Sequence, residues 1–261
     1  MTTQPVLFIS HGSPMLAVTD SPARRYLEQL GKTLATPGAV VMVSAHWETA
    51  GGPAVSLAGT PATIHDFGGF PQVLFEIEYP APGAPVLAEH TATLLEQAGF
   101  AVRRSTDRGL DHGAWVPLRL MYPNADIPVF QVSLLRGGSA AEHERLGRAL
   151  ASLRGQNVLV IGSGSMTHNL HEFRGGPIDS AAPAWVSEFS AWMHAKLDAG
   201  DHDALLDYRR QAPHALRNHP TDEHLMPLFV ALGAGGADAA ARRLHTSVEY
   251  GVLAMDVYAF E

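Results

Sequence analysis

Histidines follow directly after several apolar runs of this sequence. His11 comes after VLFIS in the turn SHGSP, His46 comes after AVVMVSA, and His168 lies in GSGSMTHNLHEF after VLVI. Neutral imidazole is a good ligand for zinc, copper, iron and nickel. Buried imidazoles need polar partners, and one divalent cation would satisfy several of them together. The pattern therefore predicts a metal centre built from the segments that follow strands.

The third protein ligand of such a centre has two candidates, Glu223 and His224, which are adjacent in NHPTDEHLMPL. Non-haem iron oxygenases often use two histidines and one carboxylate, which favours Glu223. Glu223 also has a structural interpretation, because a carboxylate in the first turn of a helix interacts favourably with the helix dipole. Spacing alone leaves the choice open. His112, in GLDHGAWVPL, is a further histidine in a predicted loop.

Competing catalytic motifs are incomplete in this sequence. Thr167 occupies the third glycine position of GxGxxG, and Ser163 and Ser165 follow a strand but lack the GxSxG pattern of a nucleophilic serine. His168 and His171 form HxxH, which is not the HExxH motif of zinc proteases. We interpret His171 as a structural residue.

The elements that would position these residues alternate between strands and helices. The predicted strands are Val6–Ser10, Ala39–Ala45, Phe75–Tyr79, Ile127–Ser133 and Val158–Ile161, with a last one near Val248–Tyr258. The predicted helices are Ser21–Leu34, Pro85–Gly99, Ser139–Leu153, Ala182–Leu197, Asp201–Gln211 and Thr221–Leu232, and the predicted loops are 50–71, 80–85, 105–117 and 162–177. This order predicts a single α/β domain over residues 1–261, a three-layer-like sandwich with a mostly parallel or mixed central sheet flanked by helices. Ligands of such sheets bind at the carboxyl ends of the strands, so the metal site is expected there.

Composition narrows the function classes. The 261 residues carry a net charge of −8, which argues against a nucleic-acid or anionic-membrane surface. The absence of cysteine excludes disulfides, iron–sulfur clusters and cysteine nucleophiles. No secretory signal is evident, and no apolar run approaches the roughly 18 residues of a membrane span. We expect a cytoplasmic monomer or small homo-oligomer with a small-molecule substrate.

Seven segments resemble, in order along the chain from about residue 7 to 233, the 4,5-DOPA extradiol dioxygenase family. They are FISHGSPML, VSAHWE, TIHDFGGFP, YPAPG, GLDHGAWVPL, IGSGSMTHNL and HPTDEHLMPL. That family belongs to the class III, LigB-type, ring-cleaving dioxygenases. The resemblance implies an enzyme that inserts both atoms of O2 into a DOPA-like or caffeate-like catechol and forms a ring-opened semialdehyde.

The same resemblance implies a ligand set of His11, His46 and His224. Fe(II) would be the active metal, and Zn(II) could occupy the site in isolated protein. The related protocatechuate 4,5-dioxygenase branch uses a glutamate as third ligand. This chain has His224 at the matching position, with Glu223 beside it, so Glu223 is expected to keep a role at the helix start.

The resemblance also suggests roles for two further histidines. His168 matches the acid/base of the class, and in some zinc-bound structures of the family this histidine approaches the metal as a fourth ligand. His112 matches another active-site histidine, which would hydrogen-bond oxygen or substrate. Loop residues that could line the substrate pocket are Ser13, Thr63, His65, Asp66, Phe67 and Trp115. The alternatives are a zinc hydrolase or other zinc enzyme on the same three-histidine scaffold, and a non-catalytic metal-binding protein.

Overall fold

A computed structural model describes residues 3–236 and 239–261 of the chain. The strands in these ranges are β1 (Val6–Ser10), β2 (Ala39–Ser44), β3 (Glu48–Thr49), β4 (Ala54–Ser56), β5 (Arg103–Ser105), β6 (Val129–Gln131), β7 (Leu134–Leu135), β8 (Val158–Gly164), β9 (Ala241–His245), β10 (Val248–Glu249), β11 (Leu253–Ala254) and β12 (Val257–Phe260). The α-helices there are α1 (Pro22–Thr33), α2 (Pro85–Gln97), α3 (His112–Met121), α4 (Ala140–Leu150), α5 (Ala184–Asp198), α6 (His202–Leu206), α7 (Tyr208–Gln211), α8 (Ala215–Asn218) and α9 (Met226–Gly235). Short 3-10 helices are Pro14–Ala17, Gln72–Leu74, Ala151–Gln156 and Leu170–Glu172.

The central sheet has the strand order β6-β2-β8-β1-β12-β9. The first four strands are parallel, whereas β12 and β9 add an antiparallel edge. The carboxyl ends of β1, β2 and β8 therefore meet at one edge of the sheet. Ser10 pairs with Gly164 and Ser44 with Ser163, so the residues that follow these strands start side by side.

Helices cover both faces of the sheet. Val6 and Phe8 of β1 face one core, which contains apolar side chains of α2, α4, α5 and α9. Leu7 and Ile9 face the opposite core, formed with α1 and α3. Each fully buried side chain of this kind stabilises the fold by about 2 kcal/mol relative to its exposed state. The predicted mixed α/β sandwich is confirmed. No helix of the described chain is long and apolar enough to cross a membrane.

Local signals placed several helix ends correctly. Ser21 caps α1 by accepting a hydrogen bond from the Arg24 N–H, and Ser139 and Glu142 form a reciprocal capping box at α4. The helix predicted over 201–211 is instead two short helices, α6 and α7. The strand predicted near 248–258 is likewise divided into the β10–β11 pair and β12.

The strand predicted at Phe75–Tyr79 is absent from the described structure. Ile77 and Tyr79 are buried, but the backbone of this segment forms hydrogen bonds with side chains and not with a neighbouring strand. The Tyr79 N–H donates to Thr63 Oγ1 (2.8 Å), and the Ile77 carbonyl lies 3.0 Å from His65 Nε2. Alternate residues of this segment are therefore buried although it pairs with no strand of the described chain.

The loop predicted over 105–117 contains the start of α3. Asp111 caps this helix through the Ala114 N–H, and Gly113 and Pro117 lie inside it. Both residue types normally disfavour a helix interior. The helix forms because residues distant in sequence compensate for both. Ser44 occupies the space that a side chain at Gly113 would need, and the Ser163 hydroxyl donates to the Gly113 carbonyl that Pro117 leaves without a donor.

The helix predicted over 221–232 begins later, at Met226, with Pro227 in its first turn. Proline suits this place because a first-turn N–H has no intrahelical acceptor. Glu223 and His224 therefore precede the helix. The expected role of Glu223 at a helix start is wrong, and its carboxylate has a different partner.

Candidate metal centre

Three histidines converge at the carboxyl ends of the parallel strands. His11 Nε2 lies 3.0 Å from His46 Nε2, and the candidate ligand atoms of His11, His46 and His224 all lie within 4.8 Å of one another. Two metal–nitrogen bonds of about 2.1 Å at a right angle would separate their nitrogens by about 3.0 Å. This spacing fits neighbouring ligands of one metal ion.

Burial keeps these imidazoles neutral. It lowers the pKa of His11 and of His224 well below the usual value of 6.5, and the neighbouring histidines act in the same direction. Burial, followed by the effect of His112, lowers the pKa of His46 to about 3. A metal requires the neutral form of its histidine ligands, so the lone pairs are available at neutral pH.

His11 is oriented by a chain of contacts that begins at Pro117. Proline has no N–H, so the carbonyl of Gly113 lacks its usual donor four residues later in α3. The Ser163 hydroxyl donates to that carbonyl. Because this hydroxyl has one proton, its oxygen accepts from His11 Nδ1, 3.0 Å away. His11 Nε2 consequently carries the lone pair and faces His46.

His224 is oriented by its neighbour in sequence. Its Nδ1 lies 2.9 Å from Glu223 Oε1, so the carboxylate accepts the Nδ1 proton and leaves Nε2 as the ligand atom. Carboxylates that hold ligating histidines in this way raise the basicity of the ring. The backbone of His224 is fixed as well, since its carbonyl accepts from the Ser165 N–H at 2.8 Å.

Asp66 links His46 and His112. Its Oδ1 accepts from both the backbone N–H and the Nδ1 of His112, each at 2.9 Å, while Oδ2 lies 3.5 Å from His46 Nδ1. Burial acts to raise the pKa of Asp66, but the hydrogen bonds and charge of His112 outweigh it and lower that pKa to about 2. An ionised Asp66 therefore fixes both rings and leaves His112 Nε2 free.

His168 stacks on His224, with ring centroids 3.5 Å apart and planes 10° apart. Burial lowers the pKa of His168 to about 4, although Glu223 opposes this shift. One ring nitrogen of His168 lies within 4.8 Å of ligand atoms of both Glu223 and His224. A neutral imidazole beside the ligand set can act as a base or approach a metal.

A cavity of about 550 Å³ opens above these histidines. His46, His112, His168 and His224 line its inner end together with Asp66. The remaining lining residues are mostly apolar, namely Gly12, Ser13, Pro14, Met15, Phe67, Phe70, Leu170, Phe173, Tyr250 and Leu253. The positive φ of 61° at Gly12 turns the chain away after His11 and brings Ser13 to the cavity.

The residues expected to bind substrate fall into two groups. Ser13, Asp66 and Phe67 line the cavity. The other three, Thr63, His65 and Trp115, do not line the cavity but form hydrogen bonds in the segments around it. Thr63 Oγ1 accepts from the Tyr79 N–H, and His65 Nε2 lies at hydrogen-bond distance from the Ile77 carbonyl. The fully buried Trp115 donates its indole N–H to the Ile64 carbonyl at 3.0 Å.

For several residues of the site, the sequence alone gave no indication of their role. Phe173 and Tyr250 pack edge to face at 5.5 Å, although 77 positions separate them in sequence. Ser163 lacks the sequence motif of a nucleophilic serine, and in the structure its hydroxyl orients His11. The glycines of the GSGS stretch are the exception, because they indicate a close approach of another chain segment. A Cβ on Gly162 or Gly164 would collide with backbone carbonyls of the 224–227 segment.

Gly164→Ala should displace His224 and weaken metal binding at least tenfold. The added Cβ would overlap the His224 carbonyl oxygen, and such overpacking costs about 1–3 kcal/mol. Metal titration of the purified variant measures the effect. Gly155→Ala is the matched control, because a Cβ there meets open space. Equal affinity in both variants would show that this close approach does not position His224.

The metal-free protein should lose stability as the pH falls from about 6.5 towards 4. In this window the unfolded chain protonates histidines that the folded chain keeps neutral, such as His168 and His219, each with a pKa lowered to about 4 by burial. The free energy of unfolding should fall by at least about 1.4 kcal/mol per pH unit, the contribution of one such group. Asp256, whose pKa burial raises to about 6, acts oppositely, as do Glu48 and Glu249, whose pKa values burial also raises, but these carboxyls are fewer than the histidines whose pKa burial lowers. Urea unfolding at pH 7.5, 6.5 and 5.5 measures this; a constant or rising free energy would contradict it.

The donor set fits a divalent metal ion. Three neutral imidazoles converge, and hydrogen bonds to Ser163 and Glu223 direct the Nε2 atoms of His11 and His224 to a common point. Imidazole is compatible with either iron or zinc, so these residues fit both Fe(II) and Zn(II).

Comparison with known proteins identifies the family. A family model described as the catalytic LigB subunit of aromatic ring-opening dioxygenase matches residues 5–260. The chain is 43% identical over 259 residues to the 4,5-DOPA dioxygenase extradiol of Beta vulgaris, covering 97% of this chain and 95% of the relative. It is 40% identical over 262 residues to the protein of the same name from Portulaca grandiflora, covering 97% and 94%.

A solved structure agrees with this result. The crystal structure of an uncharacterized protein from Escherichia coli K12 superimposes with a TM-score of 0.82 at 33% identity, covering 99% of this chain and 100% of the other. The strand order, the histidine cluster and these similarities lead to one conclusion. The chain belongs to the LigB family of aromatic ring-opening dioxygenases and is an enzyme of the extradiol type.

Proposed function

We propose that this enzyme uses Fe(II) and O2 to cleave the ring of a catechol beside its two hydroxyl groups, which yields a ring-opened semialdehyde. The observation that carries the proposal is the convergence of three neutral histidines, His11, His46 and His224, of which His46 and His224 line an apolar cavity. The names of the relatives support a catechol substrate, of which DOPA and caffeate are examples.

His11, His46 and His224 would hold the metal through their Nε2 atoms. A metal held there would act as a Lewis acid that lowers the pKa of the catechol hydroxyls and would supply the redox chemistry for O2. Three protein ligands leave room for these groups, since the opposite side of the cluster faces the cavity. Ser163 and Glu223 keep His11 and His224 in the tautomer that binds.

His168 is the residue we assign to proton transfer. It borders the cavity, and its lowered pKa keeps the ring neutral near pH 7, so it can accept a proton from a catechol hydroxyl. The same group can return that proton later in the reaction. Its stacking on His224 holds the ring beside the atoms that react.

His112 is assigned a positioning and hydrogen-bonding role. Asp66 holds its Nδ1, so its Nε2 is available to substrate or to oxygen. Phe67 packs edge to face against His112 at a centroid distance of 5.6 Å, which limits water beside this ring. Exclusion of water protects reactive intermediates and strengthens hydrogen bonds in the site.

No observation on the described residues favours the zinc hydrolase, and we do not propose it. The test is anaerobic reconstitution with Fe(II), followed by a panel of catechols and then air. Oxygen uptake together with a yellow semialdehyde is the expected result, and protein loaded with Zn(II) is the control. If protein with measured Fe(II) occupancy consumes no oxygen with DOPA, caffeate or a 4-alkylcatechol, the proposal fails.

A further inference from the structure

We infer that Arg108 and Asp111 are positioning residues for His46, because together with Ser44 they hold both hydrogen-bonding groups of its backbone. We call these three residues the His46 clamp. The inference rests on the proposed function, since it takes His46 as a metal ligand. It goes further by giving a task to two charged residues that belong neither to the cavity lining nor to the groups of converging ligand atoms.

His46 is the ligand whose ring has the least support of its own. The His46 side chain is 20% exposed, whereas His11 and His224 are buried. Its Nδ1 lies 3.5 Å from Asp66 Oδ2, while the Nδ1 contacts of the other two ligands are 3.0 and 2.9 Å long. The direction of the His46 ring therefore depends more strongly on how its backbone is held.

The clamp holds that backbone at both ends. The His46 N–H donates to Ser44 Oγ at 3.2 Å, and the His46 carbonyl accepts from Arg108 Nη2 at 3.3 Å. Asp111 joins the two holders, since its Oδ1 accepts from the Ser44 hydroxyl and its Oδ2 from Arg108 Nη2, each at 2.6 Å. Asp111 is fully buried, which strengthens these hydrogen bonds relative to exposed ones. The contacts form a closed loop that begins and ends at His46.

Two neighbouring residues fit around the clamp. The Arg108 guanidinium lies over the ring of Trp47, 5.1 Å from its centroid, so it contacts the residue after His46 as well. Gly113 leaves the space that the clamp occupies, because a Cβ there would overlap Ser44 Oγ and lie 3.0 Å from Cδ2 of the His46 ring. A side chain at this position would push the ligand and its holder apart.

A purely structural role is the alternative for Asp111, which also caps α3 through the Ala114 N–H at 3.2 Å. Arg108 is not needed for that cap, yet it reaches from the capping carboxylate to the His46 carbonyl. A structural role predicts that loss of these residues lowers stability alone. The clamp predicts that metal affinity falls in addition.

The first experiment replaces the ion pair with an uncharged pair of similar size. The double variant Arg108→Met/Asp111→Asn removes both guanidinium contacts without leaving a buried carboxylate unpaired, and asparagine is itself a good helix cap. We expect its dissociation constant for Zn(II) to rise about 10–100-fold, as when an orienting partner of a ligand is removed. Titration against a competing chelator measures the change. An affinity equal to that of the wild type would overturn the inference.

Arg148→Met/Glu144→Gln is the matched control. Glu144 is also buried and lies 2.6 Å from its arginine, but this pair lies beside Gly233, near the end of α9 that is farther from His224. The control should lose stability in urea unfolding and keep the wild-type affinity for Zn(II). Equal loss of affinity in both double variants would reduce the effect to general destabilisation and would refute the clamp.

Ser44→Ala tests the clamp without removing a charge. It deletes the acceptor of the His46 N–H and should weaken Zn(II) binding about three- to tenfold, the effect of one hydrogen bond. The visible absorption of bound Co(II), which depends on the arrangement of its ligands, should change in Ser44→Ala but not in the control. If the first double variant does not fold, Ser44→Ala decides alone. Unchanged affinity with an unchanged Co(II) spectrum would then overturn the inference.

Metal titration separates this inference from the proposed function, because it needs no catechol. Weaker binding in the clamp variants supports the clamp even if no catechol is cleaved, in which case only the proposed reaction fails. Ring cleavage by the wild type, with unchanged metal affinity in the clamp variants, overturns only the clamp. If the wild-type protein binds neither Zn(II) nor Co(II), both are overturned.

Discussion

Replacing His11 with alanine is expected to abolish stable binding of Fe(II). The ring is fully buried, and its Nε2 lies 3.0 Å from that of His46, so nothing mobile can take its place. The loss should exceed the roughly 10–100-fold that removal of an orienting partner costs a metal site. Anaerobic Fe(II) titration, with metal content measured after desalting, provides the comparison. His224→Ala is expected to behave in the same way.

Glu223→Gln distinguishes this ligand set from a carboxylate-type site. The variant should retain metal with affinity lowered about 10–100-fold, because Glu223 acts on the metal only through His224 Nδ1. His90→Ala serves as the control, since His90 is an exposed residue of α2 and is not one of the clustered histidines. If Glu223→Gln lost its metal while His224→Ala kept it, the carboxylate would be the ligand and the three-histidine assignment would be wrong.

The positions of His11 and His46 could be predicted because they follow from strand burial. β1 and β2 are buried along their whole length, and such continuous apolar runs are typical of parallel strands covered on both faces. Parallel neighbours end at the same edge, so the residues after them converge. His224 could not be placed in this way, since it precedes a helix and reaches the site through its packing against Gly164.

The start of α3 could not be predicted for a related physical reason. Gly113 and Pro117 oppose a helix when only neighbours in sequence are considered. In the folded chain, a Cβ at residue 113 would overlap Ser44 Oγ, and the carbonyl freed by Pro117 is satisfied by Ser163. Both compensations come from strands distant in sequence, so local propensity gives no indication of them.

The cavity walls show the same limit of prediction from the sequence. Phe67 lies in a predicted loop and lines the cavity, whereas Phe173 and Tyr250 come from a connection and a hairpin that meet only in the fold. Trp115 was expected to line the cavity from a loop, but it lies in α3, is wholly buried and is not among the cavity-lining residues. Residue type suggested which side chains could bind an aromatic substrate, and tertiary packing decided which ones reach it.

His168→Ala is expected to lower kcat about 100–10,000-fold while the metal content stays near that of the wild type. This is the range of loss expected when a general acid or base is removed. The ring of His168 borders the cavity and stacks on His224 without being needed to orient it, because Glu223 performs that task. Steady-state oxygen uptake and metal analysis on the same preparation measure the two effects separately.

Two further measurements on His168→Ala exclude a merely structural role. Added imidazole should restore part of the activity, because the deleted ring leaves space that opens to the cavity. His171→Ala, three residues along and exposed, should retain wild-type kcat and show no response to imidazole. Loss of the metal from His168→Ala would instead make His168 a fourth ligand, since its ring nitrogen lies within 4.8 Å of the His224 ligand atom. Full activity of His168→Ala would remove the residue from proton transfer altogether.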